Sequence, residues 1–500
     1  MSGKIARSGA LAALTLGTER HGGDPRALLE QVAVETLLRR AGVLPKSSAT
    51  TPPTIARDSR PLVSPSVASA VAQAARGACG LLVELACERI HRRGERLPPH
   101  VQALVLATTN VATARDPRCS VGGATLAQAW HHAGGAGFVD EPAGERAALE
   151  ERWRDGTPAE RCQAFRRLRA LDSAGARELL KQGWPDEEAA LRGELIDALT
   201  LTVEPADEEW LVLALADRSQ VVRSRVARAL ATLGSAELAE RAWQRAASCV
   251  KLVSERTGLL RRLTKRLVVE PPAAWDPDWV NDGLVEKAPS GRGQRAWWLE
   301  QIVALAPAAR WCSTFETTPA ELLALAAETD FSRELVTGWA TAALGSFARV
   351  DGVFVVGTGG DPAWARPLAL HLGKLEKPLP VPTLHAVLRE REEAREELVL
   401  ELLGSGAGEL AQRLPLLDAL ALPWSAPLSK CTVALLANAM NSGKFVHLDA
   451  RAVERFTAAV HPDSFAALLE SLQSTASPAR SDFLENVRSI RLVLDQELPA

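Results

Sequence analysis

The stretch from Asp217 to Gly234, DRSQVVRSRVARALATLG, decides the fold of this chain. Its apolar side chains recur every three or four residues, which is the spacing of one face of an α-helix. An acid followed six residues later by an arginine also occurs twice upstream, each time 31 residues earlier. The three pairs are Asp155 with Arg161, Asp186 with Arg192, and Asp217 with Arg223. The apolar register is kept by Leu168, Leu199 and Leu230, so the period indicates a structural repeat.

The residue types of the repeat predict a pair of helices in each copy. An aspartate just before a helix accepts hydrogen bonds from the free N–H groups of the first turn and meets the positive end of the helix dipole. An arginine six residues later lies within the second helix, where it can reach the acid of a neighbouring copy. Because a single helix pair cannot bury its own apolar face, the copies are expected to stack on one another.

The repeat resembles the HEAT-repeat superfamily. Asp217, Val222 and Arg223 match the second-helix pattern of that superfamily, whereas in the first copy Glu160 stands where an apolar residue is expected. The close match covers about 142–235, and the resemblance implies an α-solenoid built from helical hairpins.

We therefore expect an all-α fold, an α-solenoid of HEAT-like helical hairpins with irregular helical regions at both ends. The predicted regions are an N-terminal helical region (1–137) with a Pro/Ser/Thr loop at 45–66, HEAT-like repeats (138–270) and a C-terminal irregular helical repeat domain (271–500). A fourth unit at about 235–268 lacks the acid–arginine pair. The best strand candidate, VFVV at 353–356, is too isolated to make a sheet.

A second resemblance rests on short segments spread along the chain. They are LGTER at 16–20, GQRAWWL at 293–299, ARW at 309–311, PAELLAL at 319–325 and GWATAA at 338–343. These segments look like those of a bacterial family of helical proteins that carries an uncharacterised domain and has no assigned activity. That family is often encoded near MoxR-type AAA ATPases and von Willebrand factor A-domain proteins. By association, the resemblance implies an assembly role with such a protein as partner.

Composition and charge narrow the compartment and the class of partner. The chain has 500 residues, 47% of them hydrophobic, and a formal charge of −3, so it is not globally a polyanion binder. Its seven cysteines contain no CxxC pair, which argues against a disulfide framework and a zinc site. The apolar run at 10–16 is followed by no cleavage signal, and no run reaches the ~18 apolar residues of a membrane span. We expect a cytoplasmic protein that does not bind membranes.

Motifs for catalysis or cofactor binding are weak. Gly357–Pro362 lacks the ending of a phosphate-binding loop, which favours a loop with a helix cap at Asp361. His131 and His132 are adjacent and would diverge on a helix, which favours an exposed helix end over a metal site. No nucleophile elbow occurs. We expect no cofactor, no metal and no enzymatic activity; the alternative is a helical enzyme whose site draws on residues distant in sequence.

Two side-chain clusters each allow two interpretations. Trp297, Trp298, Trp311 and Trp339 could line an aromatic pocket, but tryptophans between stacked helices more often belong to the core. The carboxylates between Glu390 and Glu401 alternate with arginines, which favours a solvated helix face over an acidic docking strip.

The strongest candidate surface is basic. Between residues 241 and 266 there are eight cations and a single acid, Glu255. The candidate partner-binding residues are Arg245, Lys251, Arg256, Arg261, Arg262, Lys265 and Arg266. The expected buried stripe of the same segment is Val253, Leu259, Leu260, Leu263 and Leu267. Such a field attracts phosphates or an acidic protein face, although a solvated face is the alternative.

We predict a non-enzymatic protein–protein interaction scaffold or adaptor that uses a solenoid surface. The alternative is a nucleic-acid-binding protein, similar to HEAT-like DNA glycosylases, that uses the basic 241–266 patch. The charge of −3 and the absence of tyrosine argue against this alternative.

Overall fold

The computed structural model describes nine stretches of the chain, which form two compact units. The described residues are 59–77, 79–108, 142–257, 262–350, 353–373, 380–404, 410–441, 450–473 and 478–498. One unit combines Met1–Glu141 with Ala450–Ala500, and the other is Pro142–Asp449. These bounds differ from the three predicted regions, because the last helices belong with the N-terminal residues rather than with residues 271–449.

The fold is all-α apart from two small antiparallel sheets, as predicted. The helices are α1 (Pro65–Arg76), α2 (Gly80–Arg92), α3 (Pro99–Thr108), α4 (Pro142–Asp155), α5 (Pro158–Leu171), α6 (Ser173–Gly183), α7 (Ala189–Thr200), α8 (Glu208–Ala214), α9 (Gln220–Leu233), α10 (Ala236–Cys249), α11 (Gln294–Leu305), α12 (Ala308–Phe315), α13 (Pro319–Ala327), α14 (Ser332–Leu344), α15 (Pro362–Gly373), α16 (Val381–Arg389), α17 (Glu392–Gly404), α18 (Leu410–Asp418), α19 (Ala426–Asn441), α20 (Ala450–Ala459), α21 (Pro462–Gln473) and α22 (Pro478–Glu497). Among the helices of the described stretches, none has the length and apolarity that crossing a bilayer requires.

The three copies of the repeat fold as the helix pairs α4–α5, α6–α7 and α8–α9. The second helix of each copy contacts that of the next, so that α7 lies between α5 and α9. The row continues, since α9 contacts α11, α11 contacts α14, and α14 contacts α16. The leucines that keep the repeat register, Leu168, Leu199 and Leu230, are all buried. Burial of this shared apolar face holds the row together.

Signals in the sequence determine where the repeat helices begin and end. The Glu160 carboxylate accepts a hydrogen bond from the Thr157 amide at 2.8 Å, and the Thr157 hydroxyl caps α5 in return. Glu160 therefore departs from the apolar repeat pattern because it completes a capping box. At the other end of the array, Gly234 ends α9 with a φ of 79°, a left-handed conformation that suits glycine.

Residues 250–257 and 262–269 form two paired β-strands, which corrects the expectation of a fourth helical unit over 235–268. Strand β1 (Val250–Thr257) pairs antiparallel with β2 (Arg262–Val269), and Val250 lies opposite Val269. The helical prediction holds only for α10, which ends at Cys249. Of the expected buried stripe, Leu267 is buried and Val253 is half-buried, but strand pairing places these two on opposite faces. The side chains of Leu259, Leu260 and Leu263 lie outside those that the structure describes. An alternation of two along each strand replaces the helical period.

The strand candidate at 353–356 does form a sheet, contrary to the expectation from sequence. Strand β4 (Val353–Val356) pairs antiparallel with β3 (Phe347–Val350), which directly precedes it in the chain. Phe347 lies opposite Val356, and Val350 lies opposite Val353. The run looked isolated because its partner is local and short.

A row of tryptophans fills part of the core of the larger unit. Ring centroids of Trp243 and Trp311 are 5.0 Å apart, those of Trp311 and Trp339 are 5.8 Å apart, and Trp364 follows at 5.6 Å from Trp339. Trp311 and Trp339 are fully buried and Trp298 is 7% exposed, so the core interpretation is correct for these three. The packing of Trp243, Trp311, Trp339 and Trp364 against one another stabilises the junction of α10, α12, α14 and α15.

A buried ion-pair network joins the repeat copies. The guanidinium of Arg169 in α5 binds both carboxylate oxygens of Asp207, at 3.1 and 2.9 Å, and Arg177 in α6 binds the same carboxylate. Both side chains of the Arg169–Asp207 pair are fully buried. Burial by itself would raise the pKa of Asp207, but hydrogen bonds from Arg177, the Glu204 amide and Arg169 outweigh it and lower that pKa.

In the smaller unit, described helices from 59–108 pack against helices from 450–498. Helix α22 contacts α1, and α20 contacts α2. The Arg89 guanidinium donates to the Leu498 carbonyl oxygen at 2.8 Å and to the Asp495 carboxylate at 3.0 Å. Side-chain and carbonyl acceptors at the end of α22 thus secure α2.

Replacing Asp207 with Asn leaves two buried guanidinium groups without their carboxylate. We expect the free energy of unfolding to fall by about 3–5 kcal/mol, the cost of breaking a buried ion pair from one side. Urea denaturation followed by circular dichroism measures it. The control is Glu178→Gln, which removes an exposed pair with Lys181 and should cost less than about 1 kcal/mol. Equal effects of the two substitutions would contradict the prediction.

Candidate functional site

One arginine and one aspartate of the repeat link two consecutive copies. Arg192 of the second copy binds Asp217 of the third, with 2.9 Å between Nε and Oδ2, and both side chains are about 95% buried. Arg161 binds Glu187, the residue after the predicted Asp186. Arg223, in the last copy, donates to the carbonyl oxygen of Asp217 at 2.6 Å instead of reaching a further acid.

Only one end of the predicted basic patch lies on a helix. Arg245 and its neighbour Arg241 belong to α10, and both form ion pairs with Asp282, which is 4% exposed. The pairing neutralises much of their charge and attaches α10 to the 3-10 turn Pro277–Asp282.

Three of the other basic candidates, Lys251, Lys265 and Arg266, lie on strands β1 and β2, where strand pairing divides them between two faces. Lys251 and Arg266 lie on one face, and Lys265 lies on the opposite face. Arg266 forms an ion pair with Glu255 at 2.8 Å, and the Lys265 ammonium donates to the carbonyl oxygen of Glu316 at 3.3 Å. Outside the described side chains lie those of Arg256, Arg261 and Arg262. The described cations therefore do not form the single basic face that a helix would present.

A groove of about 590 Å³ crosses the row of second helices, and the sequence analysis did not find it. Its volume falls in the range of about 300–1,000 Å³ that is usual for ligand sites. Its charged, polar and apolar lining side chains include Arg166, Asp197, Arg225, Arg228, Thr341, Phe347, Val381 and His385. They come from α5, α7, α9, α14, β3 and α16, so the groove follows the helices in chain order.

Three charged side chains that line the groove recur with the 31-residue period of the repeat. Arg166, Asp197 and Arg228 are 31 residues apart, which places them at the same position of three consecutive copies. Extending the period from the acid–arginine pairs to this position would have found them. Because equivalent side chains of stacked copies lie side by side, the repeat carries three charges along one edge of the groove.

Cations outnumber the carboxylate among the described residues that line the groove. Arg225 forms an ion pair with Asp197 at 3.1 Å. Arg166 and Arg228 act on Asp197 only at longer range, and the buried Nε of Arg166 has no hydrogen-bond partner among the described residues. Although half of the Asp197 side chain is accessible, loss of surrounding water raises its pKa against the opposing effect of the arginines. The arrangement suits an anionic ligand.

The far end of the groove is apolar and contains one buried imidazole. His385 is 5% exposed, its ring stacks on Phe347 at 4.3 Å, and its Nε2 has no hydrogen-bond partner among the described residues. Burial, together with repulsion from Arg389, lowers the pKa of His385 to about 4, against the effect of a hydrogen bond to the backbone of Ser346. At neutral pH this imidazole is uncharged. Beside it, Val381 is 63% exposed.

The glycine-rich segment after β4 supports the groove from behind. The Thr358 amide donates to the Leu201 carbonyl oxygen at 3.0 Å, and Gly359 has a φ of 83°. A Cβ at Gly359 would lie 2.4 Å from the Thr232 carbonyl oxygen, so this close approach requires glycine. Asp361 accepts a hydrogen bond from the Ala363 amide at 3.0 Å, in agreement with the loop-and-cap interpretation.

The other candidates from the sequence add no further site. His131 and His132 lie outside the described residues. Across the stretches that are described, no group of three or more His, Cys, Asp or Glu side chains is placed to hold a metal ion.

Comparison with known proteins shows a family whose function is unknown. Residues 5–497 match the model of a family of unknown function, DUF5691. This agrees with the coarser part of the second resemblance, which was to a family of helical proteins without assigned activity. Searches of curated proteins and of solved structures give no significant match.

The buried neutral His385 makes stability depend on pH. Its ordinary pKa of 6.5 applies in the unfolded chain, whereas the folded value is about 4. The unfolded state therefore binds the extra proton first, and stability is lost as the pH falls from 6.5 towards 4. We expect this residue to account for roughly 3 kcal/mol of that loss.

The measurement compares urea unfolding of the wild type with that of His385→Phe, which stays aromatic but does not titrate. Because other groups titrate equally in both proteins, the difference between the two curves isolates His385. The variant should lose less stability on acidification. Parallel curves over this pH range would show that His385 is readily protonated in the folded protein.

Proposed function

We propose that this chain, which belongs to the DUF5691 family of unknown function, is a non-enzymatic protein–protein interaction scaffold that receives a partner segment in its groove. The observation that carries the proposal is the groove of about 590 Å³ formed across consecutive repeat copies. A site assembled from the same face of successive helices is the usual binding surface of stacked-repeat proteins.

The way in which the helices stack supports a HEAT-like solenoid as the underlying architecture. The second helices α5, α7 and α9 contact one another in order, and Arg192 links its copy to Asp217 of the next. Neighbour-to-neighbour contact of this kind is what distinguishes a solenoid from a closed globule. The narrower proposal, that these repeats belong to the HEAT-repeat superfamily, rests on the sequence match at Asp217, Val222 and Arg223.

The proposed partner class follows from the resemblance to a bacterial family of helical proteins that is often encoded near two kinds of protein. A MoxR-type AAA ATPase or a von Willebrand factor A-domain protein would supply the bound segment. The setting would be the cytoplasm, in keeping with cysteines that contain no CxxC pair.

The nucleic-acid alternative has less support from the described side chains. Arg241 and Arg245 are paired with Asp282, and Arg266 is paired with Glu255. A duplex would have to compete with these internal ion pairs for the same guanidinium groups.

Blocking the groove tests the proposal. Thr341 is exposed on α14 and lines the groove, so Thr341→Trp should fill it without disturbing the core. Short random peptides selected against the full chain should bind the variant roughly tenfold more weakly or worse, as measured by fluorescence anisotropy.

The matched control is Thr314→Trp, an exposed threonine on α12 that does not line the groove. It should bind the selected peptides like the wild type, and circular dichroism should show the same fold for both variants. A selection that gives no binders, or binders that are indifferent to Thr341→Trp, would overturn the proposal.

A further inference from the structure

We infer that the groove recognises an acidic peptide segment whose carboxylates precede an apolar residue. The inference rests on the proposed function and adds the chemistry of the occupant. Its basis is the division of the groove into a cationic end, formed by α5, α7 and α9, and an apolar end at β3 and α16.

Two guanidinium groups at the cationic end are available to a ligand. Asp197, the carboxylate among the described lining residues, forms an ion pair with Arg225 at 3.1 Å. This pair accounts for one of the three lining arginines. Arg166 and Arg228 form no ion pair with any described residue, and the Nε of Arg166 is buried without a hydrogen-bond partner. A buried donor without an acceptor is costly, so a carboxylate from a ligand would relieve it.

The spacing of the helices sets the spacing of the ligand charges. Arg166 and Arg228 occupy equivalent positions two copies apart, on α5 and α9. Packed helices lie about 8–10 Å apart, so the two helices are separated by roughly 16–20 Å, which an extended chain covers in about five or six residues. The best ligand would therefore carry two carboxylates at about that separation.

The apolar end selects the residue that follows. Val381 is 63% exposed, and Phe347 and Pro382 lie near it along the lining. His385 is neutral there, because burial and Arg389 hold its pKa at about 4. The described lining at this end thus presents no charged side chain, so an aliphatic side chain of the ligand can bury against Val381.

A peptide of defined sequence tests the inference. The probe carries two glutamates about five residues apart and a leucine beyond the second. The matched peptides replace both glutamates with glutamine or with lysine. Anisotropy with the full chain should show the glutamine peptide binding roughly tenfold more weakly than the glutamate peptide, and the lysine peptide more weakly still.

Charge reversal on the protein gives the complementary test. The double variant Arg166→Glu with Arg228→Glu should lose the glutamate peptide and bind the lysine peptide in its place. The control double variant, Arg154→Glu with Arg218→Glu, makes the same change of charge at exposed positions outside the groove and should keep the original preference.

The outcomes separate the inference from the proposed function. Selected peptides that depend on Thr341 but carry no carboxylate, or whose preference survives the Arg166/Arg228 reversal, would overturn the inference and leave the scaffold standing. A single-stranded RNA could also compete with the labelled glutamate peptide for the groove. If it displaced that peptide at a lower concentration than unlabelled glutamate peptide does, the inference would be overturned. Failure to select any peptide whose binding depends on Thr341 would contradict both the proposed function and this inference.

Discussion

Buried arginine–carboxylate pairs between consecutive helix pairs are the interaction on which the larger unit depends. Arg192 reaches from one copy to Asp217 of the next, and Arg169 grips both oxygens of the buried Asp207. A buried charge cannot be left without its partner except at a cost of several kcal/mol. Apolar faces alone would let stacked helices slide, but these pairs are satisfied in only one register.

The groove is a consequence of that register. The second helices α5, α7 and α9 contact one another in order, so equivalent positions on these three helices lie in one row. Arg166, Asp197 and Arg228 thereby form a line of charge although they are far apart in sequence. The Arg192–Asp217 pair and the charged side chains of the groove follow the same period at different positions of it, whereas Asp207 lies outside that period. Arg192 and Arg169 are paired within the stack, whereas Arg166 and Arg228 of the groove form no ion pair with any described residue.

The basic segment shows how composition can mislead about structure. Leucine and arginine favour helices, so the residues from Val250 to Val269 look like the continuation of α10. What decides the conformation of 250–257 and 262–269 is the pairing of these two strands, in which Leu252 lies opposite Leu267. On these two strands the described cations, Lys251, Lys265 and Arg266, divide between two faces and so do not form one surface.

The aspartate at the centre of the buried network was equally hard to find. Asp207 lies in a 3-10 turn between copies, outside the acid–arginine period, and its partners Arg169 and Arg177 are far from it along the chain. In the sequence it looks like any surface acid near a helix start. By contrast, the capping residue Thr157 and the C-terminal Gly234 carry local signals that a reader of the sequence can use.

The sequence by itself determined the all-α class, the three repeated helix pairs and their capped ends, because periodicity and capping act within a few residues of chain. Only the tertiary structure decided that the last helices join the N-terminal unit, that 250–269 pairs as strands, and that Arg166, Asp197 and Arg228 meet along one groove. The first and the third feature come from contacts between segments that are distant in the chain, and the second comes from pairing between two neighbouring strands. In each case the free energy depends on how the elements pack against one another.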